Sequence, residues 1–341
     1  MSTIAKAKSK VKKIWHILNP RAGKGKAKKI KEDLDKKEES VYMSKSVEDA
    51  SSFIENECRK EPNTCFTVYG GDGTIFRTVN SLMKSGKNEE VTLKIVPMGS
   101  GNDFVHSFED VKGEVKVDVM QFNDKYAINV INVGFDCEVV KRTVGIKKIP
   151  LVSGKMAYIL GVAGEFLTKK PIDAKITLTY ENGTTEVIEE EILLAAVANG
   201  KWYGGGFKVA PLSRYDDGLL DVEIIRNVGR MKFVKLVSDY KKGNHLDPET
   251  QTVAKGFEEY IYHRRCVAVK IEGIKSVCAD GEIFAEESVD IKVIPGALNY
   301  IPNEEAEEVE KNTEALLIEE PLETTEKKAT DDTPKTTADN D

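Results

Sequence analysis

Apolar positions along the first third of the chain switch between two periods. Short apolar runs at Ile14 to Leu18, Val41 to Met43, Cys65 to Tyr69 and Leu93 to Val96 read as buried strands. Between them, Lys24 to Lys37, Val47 to Arg59 and Thr74 to Lys84 carry apolar residues at helical spacing. Strands alternating with helices in this way predict a parallel sheet covered on both faces. Ligands in such sheets bind beyond the carboxyl ends of the strands. Three polar or glycine-rich turns follow predicted strands, at 19–26, 70–74 and 98–103, and a parallel sheet brings all three to one edge.

After the fourth of these strands the pattern becomes strand-like: Val115 to Val119, Tyr126 to Val133, Lys175 to Tyr180, Glu186 to Ala198, Leu219 to Ile225, Cys266 to Ile271 and Val289 to Ile294. Asn182-Gly183 is a hairpin signal. Two helices interrupt the strands, Gly154 to Thr168 and Met231 to Lys241. The expected fold class is α/β plus β. A Rossmann-like N-terminal α/β domain with a parallel sheet is joined to a mainly antiparallel β-sandwich domain, with a cleft at the seam. The expected boundaries are 11–122 with a returning segment near 295–302, then 123–294, then a tail from 303 to 341.

Composition narrows the class. The 341 residues are enough for two domains, and 40% hydrophobic with 31% charged residues describes a soluble globular protein. No apolar run approaches the roughly 20 residues that span a bilayer, and the lysine-rich N-terminus lacks the apolar stretch of a secretory signal. Five scattered cysteines without a Cys-x-x-Cys pair point to a reducing cytoplasm and exclude a cysteine zinc site. The four histidines show no metal-ligand spacing. The net charge of −7 conceals a polarity: residues 1–31 hold eleven Lys or Arg and no acid, whereas 303–341 hold fourteen acids against four lysines. The tail is expected to be disordered and solvated. The segment Lys6 to Lys31 is either a solvated basic face or a contact for anionic lipid or other phosphates. Aromatic interleaving is absent from it, so nucleic acid is not expected as a partner.

The chemistry concentrates in five turns. Val68-Tyr69-Gly70-Gly71-Asp72-Gly73-Thr74 runs from a strand through glycines into a helix, which lets bare amides and a helix N-terminus approach a phosphate. It matches neither common nucleotide fingerprint, because Phe76 stands where G-x-G-x-x-G needs its last glycine. Asp72 repels phosphate unless a cation intervenes, so the loop reads as a nucleotide site in which Asp72 orders a cation or its water. Asn19-Pro20-Arg21-Ala22-Gly23-Lys24 offers a turn-holding amide and two cations for phosphate oxygens. Gly99-Ser100-Gly101-Asn102-Asp103 offers backbone amides, with Asn102 available to ribose or phosphate. The segment from Arg214 through Asp217, Gly218 and Leu219 to Asp221 supplies oxygen ligands suited to Mg²⁺ or Ca²⁺. Asp280-Gly281-Glu282 sets two carboxylates around a glycine, a pairing that can supply a general base and a metal or nucleotide contact. Taken singly, each is equally an ordinary turn.

Their order and spacing together resemble the soluble bacterial diacylglycerol kinase family, the lipid kinases with a diacylglycerol-kinase catalytic domain, over residues 11–302. The Gly-Gly-Asp-Gly-Thr motif alone is shared with NAD kinases, and the Gly-Asn-Asp loop with the late Asp-Gly-Glu favours the lipid kinases. The resemblance implies an NAD kinase/diacylglycerol kinase-like fold with ATP in the cleft and a lipid hydroxyl presented from the β domain. It implies Asp280 as general base, Glu282 beside the ATP phosphates and metal, and Asp72 linked through water to a structural Mg²⁺. That ion would be held by Asp217 and by backbone near Leu219 and Arg214. The nucleotide residues implied or read are Asn19, Arg21, Gly23, Lys24, Gly70, Gly71, Gly73, Thr74, Gly99, Ser100, Gly101 and Asn102, with Lys148 and Lys155 as weaker phosphate candidates. Asp280 would mainly orient the hydroxyl, since phosphoryl transfer needs charge neutralisation and in-line positioning above all. The expected reaction is ATP- and Mg²⁺-dependent phosphorylation of diacylglycerol to phosphatidate. The alternatives are a polyprenol, sphingoid base or phosphatidylglycerol acceptor, NAD kinase, or a nucleotide-sensing regulator. Expected partners are ATP, a membrane lipid, a transient anionic membrane surface and, as a candidate, a second copy in a homodimer. The expected location is cytoplasmic with peripheral membrane association. Trp202, Tyr203 and Phe207 are candidates for the lipid entrance and equally for ordinary core aromatics.

Overall fold

The computed structural model describes residues 13–20, 26–99, 101–146 and 171–302. Strands β1 (Lys13–Leu18), β2 (Val41–Met43), β3 (Thr64–Gly70) and β4 (Thr92–Pro97) alternate with helices α1 (Lys26–Lys36), α2 (Val47–Lys60) and α3 (Asp72–Ser85). All four strands pair in parallel in the order β2-β1-β3-β4. The helices start and stop where local chemistry directs. Ser46 caps α2 by accepting the Asp49 N–H at 3.1 Å, and acids in its first turn with Arg59 and Lys60 in its last suit the helix dipole. Helix α3 ends at Gly86, whose φ of 69° suits a left-handed cap. Phe66, Val68, Leu93 and Ile95 from the sheet meet Ile54, Ile75, Val79 and Leu82 from the helices in one buried core.

After a single helical turn, α4 (Asp103–His106), the chain builds the β-rich half: β5 (Val115–Phe122), β6 (Lys125–Ala127), β7 (Val130–Gly134), α5 (Phe135–Ile146), β8 (Ile172–Thr179), β9 (Thr185–Ala198), β10 (Leu220–Arg226), α6 (Arg230–Lys242), β11 (Leu246–Asp247), β12 (Thr252–Val253), β13 (Ile261–Cys266), β14 (Ala268–Glu272), β15 (Val277–Ala279), β16 (Glu282–Phe284) and β17 (Ser288–Ile301). Pairing among these strands is antiparallel, and alternate residues of β7, β8, β9, β10 and β14 bury a second core around Ile131, Ile176, Val197, Val222 and Ile271. Strand β17 serves both halves. It lies antiparallel to β5 on both sides of a register break, its first part also antiparallel to β14 and its last three residues parallel to β4. The switch falls at a register break between Ile294 and Leu298, where Gly296 takes a φ of 54°.

The sequence pattern and the structure part at three places. The strand predicted over Tyr126 to Val133 is split into β6 and β7, because the amides between them turn toward Asp280. The strand predicted from Cys266 to Ile271 is β14, and β13 before it was not predicted, since its inward residue His263 and its Arg264 and Arg265 conceal the apolar alternation. Helix α5 was not predicted, its start being continuous with the apolar run of β7. The helix predicted over Gly154 to Thr168 and the tail lie outside the described residues.

One carboxylate ties the two halves where β5 leaves the α/β part. Asp118 is 1% exposed and accepts the Gly218 N–H at 2.7 Å and the Gly296 N–H at 2.6 Å. Removing it leaves two amides without partners, each worth about 1.5–3 kcal/mol when bonded to a charged group. Asp118→Ala should therefore lower the unfolding free energy by about 3 kcal/mol or more in urea denaturation, whereas Asp118→Asn should recover part of it.

Candidate active site

The carboxyl ends of β1, β3 and β4 bring their three turns together. Asn19 donates through Nδ2 to Thr74 Oγ1 at 3.4 Å, and the Met98 N–H donates to the Gly70 carbonyl at 2.9 Å. Gly71 and Gly99 meet backbone to backbone. A Cβ on Gly99 would lie 2.7 Å from the Gly71 Cα, so neither loop tolerates a side chain there. The Thr74 and Ile75 amides already close onto the Gly71 carbonyl, which starts α3 at the loop. Asp72 accepts the Asn102 N–H at 3.3 Å, linking the second and third turns.

A cavity of about 450 Å³ opens beside this junction, lined by Asn19, Pro20, Ser46, Glu48, Thr74 and Arg77 among others. Its volume falls within the range of small-molecule sites. The N-termini of α2 and α3 both border it, which favours an anionic ligand.

Asp280 enters from the other half. It turns the β15–β16 hairpin in a left-handed conformation, φ 46°, and its carboxylate accepts three successive amides. These are Ile128 at 2.8 Å, Asn129 at 3.0 Å and Val130 at 3.0 Å. Such bonds favour the charged form, but desolvation outweighs them and its pKa rises from 3.8 to about 6. A carboxylate has about four lone-pair sites, so one remains for a further donor. Two residues on, Glu282 reaches the glycine loop. Its Oε1 lies 3.4 Å from Arg77 Nη2 and 2.7 Å from where a Gly73 Cβ would stand. Asp280, Glu282, Asp72, Gly70, Gly71, Gly73, Thr74, Asn19, Gly99, Gly101 and Asn102 are thus brought to one region. Arg21, Gly23, Lys24, Ser100, Lys148 and Lys155 lie outside the described residues.

Several predicted roles differ in place. Asn102 is engaged by its own loop, accepting the Gly99 N–H at 3.0 Å and donating to the Gly99 carbonyl at 2.9 Å, so it shapes the turn. At the expected structural cation site, Asp217 receives Arg265 Nη2 and the Leu219 N–H at 3.1 Å, and Arg214 pairs outward with Asp216 at 3.3 Å. Arg265 also faces Asp221 at 3.5 Å, opposite it across β10 and β13. Among the described residues no three His, Cys, Asp or Glu side chains gather to hold a metal. A guanidinium on the expected carboxylate does not fit a resident cation there.

Two residues were not singled out for the site by the sequence. Arg77 stands one helical turn beyond Gly73, a spacing that puts both on one face of α3 and could have flagged it. Asp103, the first residue of α4, is a buried carboxylate that accepts the Gly205 N–H at 2.9 Å and the Gly206 N–H at 3.2 Å. Burial first, and Asp72 beside it, raise its pKa to about 6. Trp202 and Tyr203 begin the same loop. Asn129 Nδ2 donates to the Trp202 carbonyl at 2.8 Å, and the Tyr203 hydroxyl donates to the buried Asp136 at 2.7 Å. Tyr203 and Asp136 border an apolar crevice with Phe135, Leu194, Phe207 and Tyr240. Burial lifts Asp136 to about 7.

Comparison with known proteins fits this geometry. Residues 13–133 match the family described as diacylglycerol kinase catalytic domain. Residues 129–302 match the YegS C-terminal NAD kinase beta sandwich-like domain. A diacylglycerol kinase of Mycobacterium tuberculosis is 25% identical over 252 residues, covering 69% of this chain and 75% of that protein. A YegS-like protein of Chromohalobacter salexigens, named as a lipid kinase, is 29% identical over 241 residues, covering 67% and 73%. The crystal structure of a diacylglycerol kinase from Bacillus anthracis superposes with a TM-score of 0.61 at 23% identity, over 87% of this chain and 98% of that one, and shares the fold. The chain belongs to the diacylglycerol-kinase-type lipid kinases, phosphotransferases whose acceptor is a lipid alcohol.

Proposed function

We propose that the chain transfers the γ-phosphoryl group of ATP, supplied as its Mg²⁺ complex, to the hydroxyl of diacylglycerol, giving phosphatidate. The observation that carries this reading is the approach of the Asp280-Gly281-Glu282 turn to the Gly70–Thr74 loop, with Arg77 bridging to Glu282. A proton acceptor and a phosphate-cradling loop then share one space. Nucleotide in the 450 Å³ cavity would direct its phosphates toward the α3 N-terminus and Arg77. The acceptor hydroxyl donates to the remaining lone pair of Asp280. Its oxygen attacks the γ-phosphorus in line, the bond to the β–γ bridging oxygen breaks, ADP leaves, and the hydroxyl proton passes to Asp280. The lipid itself is reached by transient contact with an anionic bilayer.

The deciding experiment follows labelled γ-phosphate into diacylglycerol, undecaprenol, a sphingoid base, phosphatidylglycerol and NAD in mixed micelles. Labelled phosphatidate is expected, and labelled NAD with no lipid product would overturn the acceptor. Asp280→Asn should abolish turnover while leaving nucleotide affinity within about twofold, because the carboxylate acts on the acceptor. Loss of nucleotide binding in that variant would count against the assignment. The pH dependence has a definite sign. Asp280 works ionised and its pKa is raised to about 6, so kcat/KM should be level above that pH and fall about tenfold per unit below it. Arg77→Ala should raise KM for ATP about tenfold, the scale of one lost charged hydrogen bond, with a smaller effect on KM for lipid.

A further inference from the structure

A lipid kinase must find its acceptor in a bilayer, yet among the described residues no helix is long and apolar enough to cross one. On α1, Lys31 pairs with Asp35 at 2.5 Å and Lys36 with Asp33 at 3.3 Å, and no described lysine of that helix lies over an aromatic ring. Another face combines cations with aromatic surface. The segment from Tyr203 to Phe207 forms a finger closed by reciprocal backbone bonds of 2.9 Å between its two ends. Gly204, Gly205 and Gly206 in succession hold positive φ (63°, 78° and 115°), which side chains rarely adopt, and the space over Gly205 and Gly206 is open. Lys208 follows the finger and sets its Nζ 5.3 Å from the Trp202 ring. Lys241, at the end of α6, sets its Nζ 5.3 Å from the Phe207 ring. The Lys208 N–H donates to the Lys241 carbonyl at 3.0 Å, so finger and helix end are one surface. Lys201, Lys208, Lys241 and Lys242 have no carboxylate partner among the described residues; Asp239, one turn back on α6, accepts from Asn244 at 3.2 Å.

Resting on the lipid-kinase reading, we propose that this face, Lys201 to Lys208 with Lys241 and Lys242, is the surface by which the enzyme docks on an anionic phospholipid bilayer. Lysine heads engage lipid phosphates while Trp202 and Phe207 settle at headgroup depth, the level at which aromatic rings with polar surroundings concentrate. Phe207 also borders the apolar crevice. On the inner side the finger is held by Asp103 of the third nucleotide turn. The face that meets the bilayer is thereby fixed to the nucleotide loops.

The test is sedimentation with phosphatidylcholine vesicles containing or lacking phosphatidylglycerol, using the full chain. Lys241→Gln with Lys242→Gln should weaken binding to the anionic vesicles about 30-fold, from roughly fivefold per lysine. Turnover on monomeric dioctanoylglycerol in solution should be unchanged. Undiminished vesicle binding, or an equal loss from Lys28→Gln with Lys29→Gln on α1, would overturn the proposal. A readout independent of those variants uses fluorescence. The chain has two tryptophans, and Trp15→Phe leaves Trp202 as the reporter. Its emission should shift to the blue on anionic vesicles, and an unshifted spectrum at saturating lipid would also overturn the proposal. If vesicles bind as expected but no lipid alcohol is phosphorylated, docking stands and the acceptor reading fails.

Discussion

The grip of three consecutive amides on the Asp280 carboxylate organises most of what surrounds it. To present those amides the chain must interrupt the strand between β6 and β7, and to accept them Asp280 must sit in a left-handed turn. The turn fixes the β15–β16 hairpin against β7, and two residues later Glu282 meets the glycine loop. The same strand β7, after about 13 Å of extended chain, delivers Phe135 and Asp136 to the apolar crevice. One strand therefore relates the Asp280 carboxylate at its start to the apolar crevice at its end.

Desolvation and hydrogen bonding oppose each other at this carboxylate, and the outcome matters chemically. Three amides alone would hold it well below the ordinary range and make it a very poor base. Burial wins and brings it to about 6, which leaves it ionised at pH 7 yet more basic than an ordinary aspartate. Asp103 meets the same balance, with two glycine amides against burial and the charge of Asp72. Both of its oxygens are tied to the finger by the Gly205 and Gly206 amides.

Much of this was legible in the residues, and what was not has a common cause. The alternation of β1 to β4 with α1 to α3 follows from apolar spacing, and the three glycine turns fall at strand ends because a parallel sheet needs crossovers there. The family relation followed from the order of five turns. Pairings between distant segments were invisible. Arg77 meets Glu282 across 205 residues, and Asp103 meets Gly205 across 102. Asp217 illustrates the cost. Its Asp-Gly turn offers oxygen ligands, and only the register of β10 with β13, which sets Arg265 opposite Asp221, reveals that a guanidinium is already in reach. A charge in sequence has no partner until the sheet assigns one.

The finger shows how an unremarkable glycine run acquires a role through its attachments. Three glycines with positive φ are costly to order, since glycine loses more conformational freedom on folding than any other residue. The structure offsets that loss with two backbone bonds at the base of the finger and with the Asp103 carboxylate behind its tip. A loop needed only to connect β9 to β10 would require neither. Held this way, the finger is tied through Asp103 to the neighbouring Asn102 turn, which packs against Gly71 through Gly99.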